Sequence, residues 1–167
     1  MNFFDFQVLP IEQAEEVLLL CCGSQNWANK MAQLRPFQSM EEVHNTAVRI
    51  WESLQVQEWL EAFAHHPRIG DRQALAARFA STRNWSANEQ AGVEEAEKDI
   101  LDRLASGNEK YSQRFGYVFL VCATGKSALE MLNLLESRIN NSPEEELQIA
   151  QQEQQKIMLL RLDKMFQ

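Results

Sequence analysis

Cysteine is scarce in this chain, with three in 167 residues, and two of them, Cys21 and Cys22, are adjacent. They offer neither the spaced pairs of a disulfide framework nor the Cys/His spacing of a structural zinc site. No charged-then-apolar leader opens the sequence, so the expectation is a cytoplasmic protein with reduced thiols. Long hydrophobic runs are lacking too. The longest, Val17 to Cys22, falls far short of the roughly 20 residues that span a bilayer, so no membrane association is expected. Positive charge is in deficit: 16 Lys and Arg stand against 24 Asp and Glu, a net charge of −8. That excludes the basic footprint that nucleic acid requires and leaves an anionic small molecule possible only at a local cationic pocket. Repeats, low-complexity tracts and linkers are missing as well, so residues 1–167 read as one domain, long enough to bury its own core.

What is present is helical punctuation. Pro10 followed by Ile11 to Leu20 starts a helix with carboxylates near the positive end of its dipole, and Gly23-Ser24-Gln25-Asn26 is expected to end it. Ser39-Met40-Glu41-Glu42 and Ser86-Ala87-Asn88-Glu89 are capping boxes. The first leads into Val43, Ala47, Ile50, Trp51 and Leu54 at helical spacing, followed by a helix from about Val56 to His65. A short helix from Arg72 to Phe79 and a loop at Ser81-Thr82-Arg83-Asn84-Trp85 precede the second box. That box opens a helix to about Leu104, broken by Ser106-Gly107-Asn108, with a further short helix from Glu109 to Phe115. Tyr117 to Ala123 looks strand-like but has no strand partner, and reads as an extended entry to a helix from about Lys126 to Ile139. Ser142-Pro143 followed by three glutamates marks the start of a last helix reaching almost to Gln167. The expected architecture is an all-α single-domain bundle of about seven to nine helices.

Three placements carry possible chemistry. His66, in His65-His66-Pro67-Arg68-Ile69-Gly70, follows an apolar helical face at a position where Pro67 must end the helix, which fixes an imidazole at a helix exit. A structural, hydrogen-bonded histidine would fit the same pattern. On the last helix, Leu147, Ala150, Ile157, Met158 and Met165 share a stripe with Arg161 in its midst. A guanidinium there must pair with a carboxylate, snorkel, or await an anion. Glu89 lies on the core side of its helix start, where a capping-box role would also account for it. The Gly125-Lys126-Ser127 sequence lacks the first glycine of a phosphate loop, and His44, His65 and His66 match no metal-binding spacing, so no metal is expected.

Taken together in order, His66-Pro67-Arg68-Ile69-Gly70, Ser86-Ala87-Asn88-Glu89-Gln90 with Gly92, Phe115 to Ala123, and Leu160-Arg161-Leu162 resemble the OHCU decarboxylase family over nearly the whole chain. That family decarboxylates 2-oxo-4-hydroxy-4-carboxy-5-ureidoimidazoline to (S)-allantoin in urate catabolism. The chain departs from the family's usual Ser-Pro-Trp at Ser24-Gln25-Asn26-Trp27. It also ends in Lys164-Met165-Phe166-Gln167 rather than the peroxisomal tripeptide of some members, which suggests a bacterial-type cytoplasmic enzyme.

The resemblance implies an all-helical fold, a homodimer, a small anionic ureidoimidazoline substrate and no cofactor. It assigns His66 as general acid/base, Pro67 as its brace and Arg161 as the anchor of the substrate's anionic oxygens. Glu89 and Gln90 would bond ureido and ring N–H groups with help from Ser86, and Glu89 could instead orient His66. Backbone groups of Phe119, Leu120, Val121, Cys122 and Ala123 would contact the substrate. Ile149, Leu159 and Leu160, off the main stripe, are candidates for a dimer interface, and His65 is assigned a structural role. Two other readings share these residues: a non-catalytic helical adaptor that docks a partner helix on the Arg161 stripe, and an enzyme of another ureido acid or hydantoin.

Overall fold

The computed structural model describes residues 1–66 and 90–167. Eight α-helices lie among them and no strand: α1 (Phe3–Val8), α2 (Ile11–Cys22), α3 (Gln25–Gln33), α4 (Met40–Glu52), α5 (Val56–Ala64), α6 (Gln90–Phe115), α7 (Ala128–Arg138) and α8 (Pro143–Met165). The all-α expectation holds. The helix over Arg72–Phe79, the loop after it and the Ser86 cap lie outside the described residues. The chain forms two compact units, Met1–His66 with Gln151–Gln167, and Pro67–Ala150.

In the first unit α2 packs on α3 and α3 on α4. The core holds Phe6, Leu18, Trp27, Met31, Trp51 and Phe63, all fully buried. An indole brings a donor into the core that must be satisfied. Trp27 Nε1 donates to the Ala47 carbonyl (3.0 Å), Trp51 Nε1 to the backbone and side-chain oxygens of Gln151 (3.1 and 3.0 Å), and Trp59 Nε1 to the Trp51 carbonyl (3.0 Å). The sequence reading misses α3. Ser24 does not merely end α2: its hydroxyl accepts from the Trp27 N–H (3.4 Å) and caps a new helix whose face of Trp27, Ala28, Met31 and Ala32 is buried. At α4 the Ser39 hydroxyl accepts from Glu42 N–H (3.2 Å), while the Glu42 carboxylate reaches back to Gln38 N–H (2.6 Å), one residue earlier than a capping box places it.

In the second unit α6 packs on α7 around Leu101, Leu104, Tyr111, Phe119, Met131, Leu132 and Leu135. The expected break at Ser106-Gly107-Asn108 does not occur, and α6 runs through it. Gly107 is there for close approach: a Cβ on it would lie 2.3 Å from Cδ2 of Leu135, so that methyl occupies the space a side chain would take. Asn108 turns its amide back to the Leu104 carbonyl (2.9 Å) and stays within the helix.

Of the strand-like run Tyr117 to Ala123, residues 118–123 are neither helix nor strand. Its carbonyls have partners inside the unit: Leu120 O accepts from Arg138 Nη1 (2.7 Å), Cys122 O from Lys126 Nζ (2.9 Å) and Ala123 O from Lys126 N–H (3.1 Å). Ser127 and Glu130 then form a reciprocal capping box that opens α7 (2.7 and 3.2 Å). The Gly125-Lys126-Ser127 sequence is therefore a helix entry.

Arg138 is pinned in turn. Its Nε (2.9 Å) and Nη2 (2.5 Å) donate to Glu146 Oε1, which also accepts from Tyr111 Oη, and Glu146 Oε2 accepts from Asn141 Nδ2 (2.9 Å). The Arg138 guanidinium lies 4.6 Å from the Phe119 ring centroid. Glu146 is fully buried, and these donors surround its carboxylate. Burial, reinforced by the bond to Glu146, drives the Tyr111 hydroxyl far above the ordinary tyrosine range. Glu146→Ala, which strands the Arg138 charge, is expected to cost about 3–5 kcal/mol in denaturant unfolding. A loss under about 1 kcal/mol would show that the network carries little of the fold.

Candidate active site

The site grows from the C-terminal end of α2. The last four carbonyls of a helix have no partner within it, and here they belong to Leu19, Leu20, Cys21 and Cys22. Gly23 turns into the left-handed region (φ +84°) and its N–H closes on the Leu19 carbonyl (2.9 Å). That glycine is doubly required, because a Cβ would also sit 2.8 Å from the Cβ of His65. His65 itself is exposed, with its Cβ lying against Gly23 at the cap.

The other three carbonyls are taken by side chains of α8. Arg161 Nη1 donates to Leu20 O (3.3 Å) and Cys21 O (3.4 Å), and Gln154 Nε2 donates to Cys22 O (3.1 Å). A cation at the negative end of a helix dipole is favourably placed. Among the described residues, Arg161 Nε and Nη2 have no partner, and no carboxylate pairs with this guanidinium.

His66 joins from the far end of α5. Its N–H caps the Phe63 carbonyl (3.1 Å), and its Nε2 is hydrogen-bonded to Gln154 Oε1. Gln154 is fully buried and so links the α2 carboxyl end to the imidazole. The half-buried imidazole is pushed below its ordinary value, first by desolvation and then by the charges of Arg161 and His65, while the bond to Gln154 opposes the shift. At neutral pH the ring is therefore mostly uncharged, suited to accepting a proton and returning it. The neighbouring thiols are poor nucleophiles, since burial raises Cys21 to about 11 and Cys22 to about 12.

His66 and Arg161 thus belong to one unit and share one helix terminus. Phe119, Leu120 and Val121 are buried in the other unit, with Cys122 and Ala123 half-buried. Pro67, Ser86 and Glu89 lie outside the described residues, and Gln90 is the first residue of α6. No cluster of three metal-ligating side chains occurs among the described residues.

The sequence reading misses Gln154 because its stripe on α8 is drawn from apolar residues. The line that is buried advances by fours through Glu146, Ala150, Gln154, Met158 and Leu162, whereas Leu147, Ile157, Arg161 and Met165 are only partly covered. A wheel that asked which glutamine shares a face with Arg161, at i−7, would have picked Gln154 out.

Comparison with known proteins agrees with this picture. The family model described as OHCU decarboxylase matches residues 7–163. The chain is 35% identical over 159 residues to the uric acid degradation bifunctional protein TTL of Arabidopsis thaliana, covering 95% of this chain and 49% of that protein, so it spans about half the length of this relative. It is 30% identical over 137 residues to the 2-oxo-4-hydroxy-4-carboxy-5-ureidoimidazoline decarboxylase of Xenopus laevis, covering 79% of this chain and 75% of that one. The crystal structure of an OHCU decarboxylase in the presence of (S)-allantoin superimposes with a TM-score of 0.73 at 36% identity, covering 91% of this chain and 97% of the other. With a match across most of its length and the same helical fold, this chain belongs to the OHCU decarboxylase family.

Proposed function

We propose that this protein catalyses the cofactor-free decarboxylation of 2-oxo-4-hydroxy-4-carboxy-5-ureidoimidazoline to (S)-allantoin. The observation that carries the reading is a half-buried imidazole of depressed pKa, hydrogen-bonded by a buried amide, beside an arginine with no carboxylate partner among the described residues.

The substrate's carboxylate sits on a ring carbon that also bears a hydroxyl, next to a C=N bond. As the C–C bond breaks, its electron pair moves into the C=N unit, and carbon dioxide leaves. The ring nitrogen that receives the pair takes one proton from solvent. Neutral His66 accepts the hydroxyl proton, which turns that carbon into a carbonyl, and delivers a proton to one face of the ureido-bearing carbon. The balance is one proton taken up and one carbon dioxide released. An imine of this kind is electron sink enough, so no role for a prosthetic group arises in these steps. Arg161 holds the substrate's anionic oxygens through donors not committed to α2. Pro67 braces His66, and Glu89, Gln90 and Ser86 recognise the ureido and ring N–H groups. Backbone groups of Phe119 to Ala123 contact the substrate, and within their own unit Leu120 O and Cys122 O are held by Arg138 and Lys126.

The reading includes a homodimer in the cytoplasm. Phe4, Val8 and Leu20 support an interface, since each is at least 75% exposed, whereas Ile149, Leu159 and Leu160 are half-buried within the protomer. The thiols of Cys21 and Cys22, which form no disulfide, suit a reducing compartment.

A coupled assay tests the reaction: the unstable substrate is generated in place from urate, and circular dichroism follows the enantiomer formed. Spontaneous decay gives racemate. Wild type is expected to give excess (S)-allantoin, and His66→Ala to lower kcat by about 10²- to 10⁴-fold with the fold retained. Racemate at the uncatalysed rate from wild type would refute the proposal. The pH profile gives a second check. Because neutral His66 is the active form and its pKa is depressed, kcat/KM should hold as pH falls and decline only below the ordinary imidazole value of 6.5. A decline that sets in above that value would contradict the assignment.

A further inference from the structure

The bonds around Gln154 fix more than its position. Cys22 O, at 3.1 Å from the Gln154 amide nitrogen, can only accept a hydrogen bond. Gln154 is fully buried, so its amide is out of reach of bulk solvent. Were the amide reversed, its oxygen would face the Cys22 carbonyl and leave two buried acceptors opposed, one of them a helix-terminal carbonyl with no other donor among the described residues. The amide oxygen therefore faces His66 Nε2, as found. An amide oxygen cannot donate, so Nε2 must carry the proton. In a neutral imidazole that leaves the lone pair on Nδ1.

We propose that Gln154 is a positioning residue that holds neutral His66 as its Nε2–H tautomer, making Nδ1 the nitrogen that exchanges a proton with the substrate. The catalytic half of this statement rests on the decarboxylase reading; the tautomer does not. One consequence concerns stereochemistry. When Nδ1 takes up a proton, the ring becomes an imidazolium with both nitrogens protonated. The Nε2 proton stays on the ring, donated to Gln154 Oε1, and the Nδ1 proton is the one returned. A single atom, fixed in orientation by a bond on the opposite side of the ring, both receives and delivers, so the proton reaches one face of the intermediate. The groups that face His66, the cationic Arg161 and the imidazole of His65, together with desolvation, keep the ring neutral enough for the tautomer to matter.

The test is ¹⁵N NMR of the imidazoles in the full-length protein. Only His44, His65 and His66 contribute signals, and His66→Ala assigns the one of interest. In wild type at neutral pH, long-range ¹H–¹⁵N couplings should show His66 protonated at Nε2, with a ring proton protected from solvent exchange. In Gln154→Leu that protection should disappear and both tautomers should be populated, while kcat falls about 10- to 100-fold and KM changes little. Gln154→Glu gives a second handle. A carboxylate there still accepts from Nε2–H and raises the imidazole pKa, so the low-pH limb of kcat/KM should move to higher pH. A wild-type His66 protonated at Nδ1 overturns the proposal without any variant. So does a ring whose tautomer and proton exchange are unchanged in Gln154→Leu, or a limb unmoved by Gln154→Glu. Each can fail while (S)-allantoin is still produced, and a tautomer that holds in a protein without decarboxylase activity would sink only the catalytic reading.

Discussion

The unsatisfied carbonyls at the end of α2 are the constraint on which the site depends. A helix leaves its last four carbonyls without partners of its own, and this one satisfies all of them: Leu19 with the cap N–H of Gly23, Leu20 and Cys21 with Arg161, Cys22 with Gln154. Two of those donors sit two turns apart on one face of α8, so meeting a structural need also places a guanidinium and an oriented amide side by side. His66 then needs only to arrive at the amide oxygen. A residue that looks like a helix-capping device and one that looks like a site residue are here the same side chain, because the cap uses only part of each side chain's hydrogen-bonding capacity.

The second unit repeats the logic with charge. Glu146 collects Arg138, Tyr111 and Asn141, and Arg138 also donates through Nη1 to Leu120 O. A fully buried carboxylate is tolerable only when its environment is this complete, and the effect on the chain is to hold a segment that is neither helix nor strand. Rigidity in a segment proposed to face substrate comes from a buried ion pair one residue type removed from anything a hydropathy pattern reports.

How much of this was legible beforehand depended on whether the signal was local. Ser142-Pro143 and the Ser127 region mark helix starts through hydrogen bonds spanning three residues, and both starts lie where local chemistry puts them. Gly107 misled because a glycine's meaning depends on its neighbour: the Leu135 methyl that requires it lies 28 positions away. Ser24-Gln25-Asn26 read as a terminator because its polar residues were weighed without the buried Trp27, Met31 face behind them. Gln154 sits in Gln151-Gln152-Glu153-Gln154-Gln155, and Glu146 in a run of three glutamates. Residue type alone does not separate the buried Gln151, Gln154 and Glu146 from their solvated neighbours, since burial there is decided by partners on other helices. His66 and Arg161 stood out because each broke a pattern, an imidazole before a proline and a charge beside an apolar stripe.

The claim that one helix terminus organises a proton-transferring imidazole and an anion-binding arginine is tested most directly by a crystal structure with (S)-allantoin bound. The account predicts the product within hydrogen-bond distance, about 3 Å, of both His66 Nδ1 and the Arg161 guanidinium, with Gln154 still bonded to Nε2 on the opposite side of the ring. Product bound away from Arg161, or contacting His66 through Nε2 with Gln154 displaced, would contradict it.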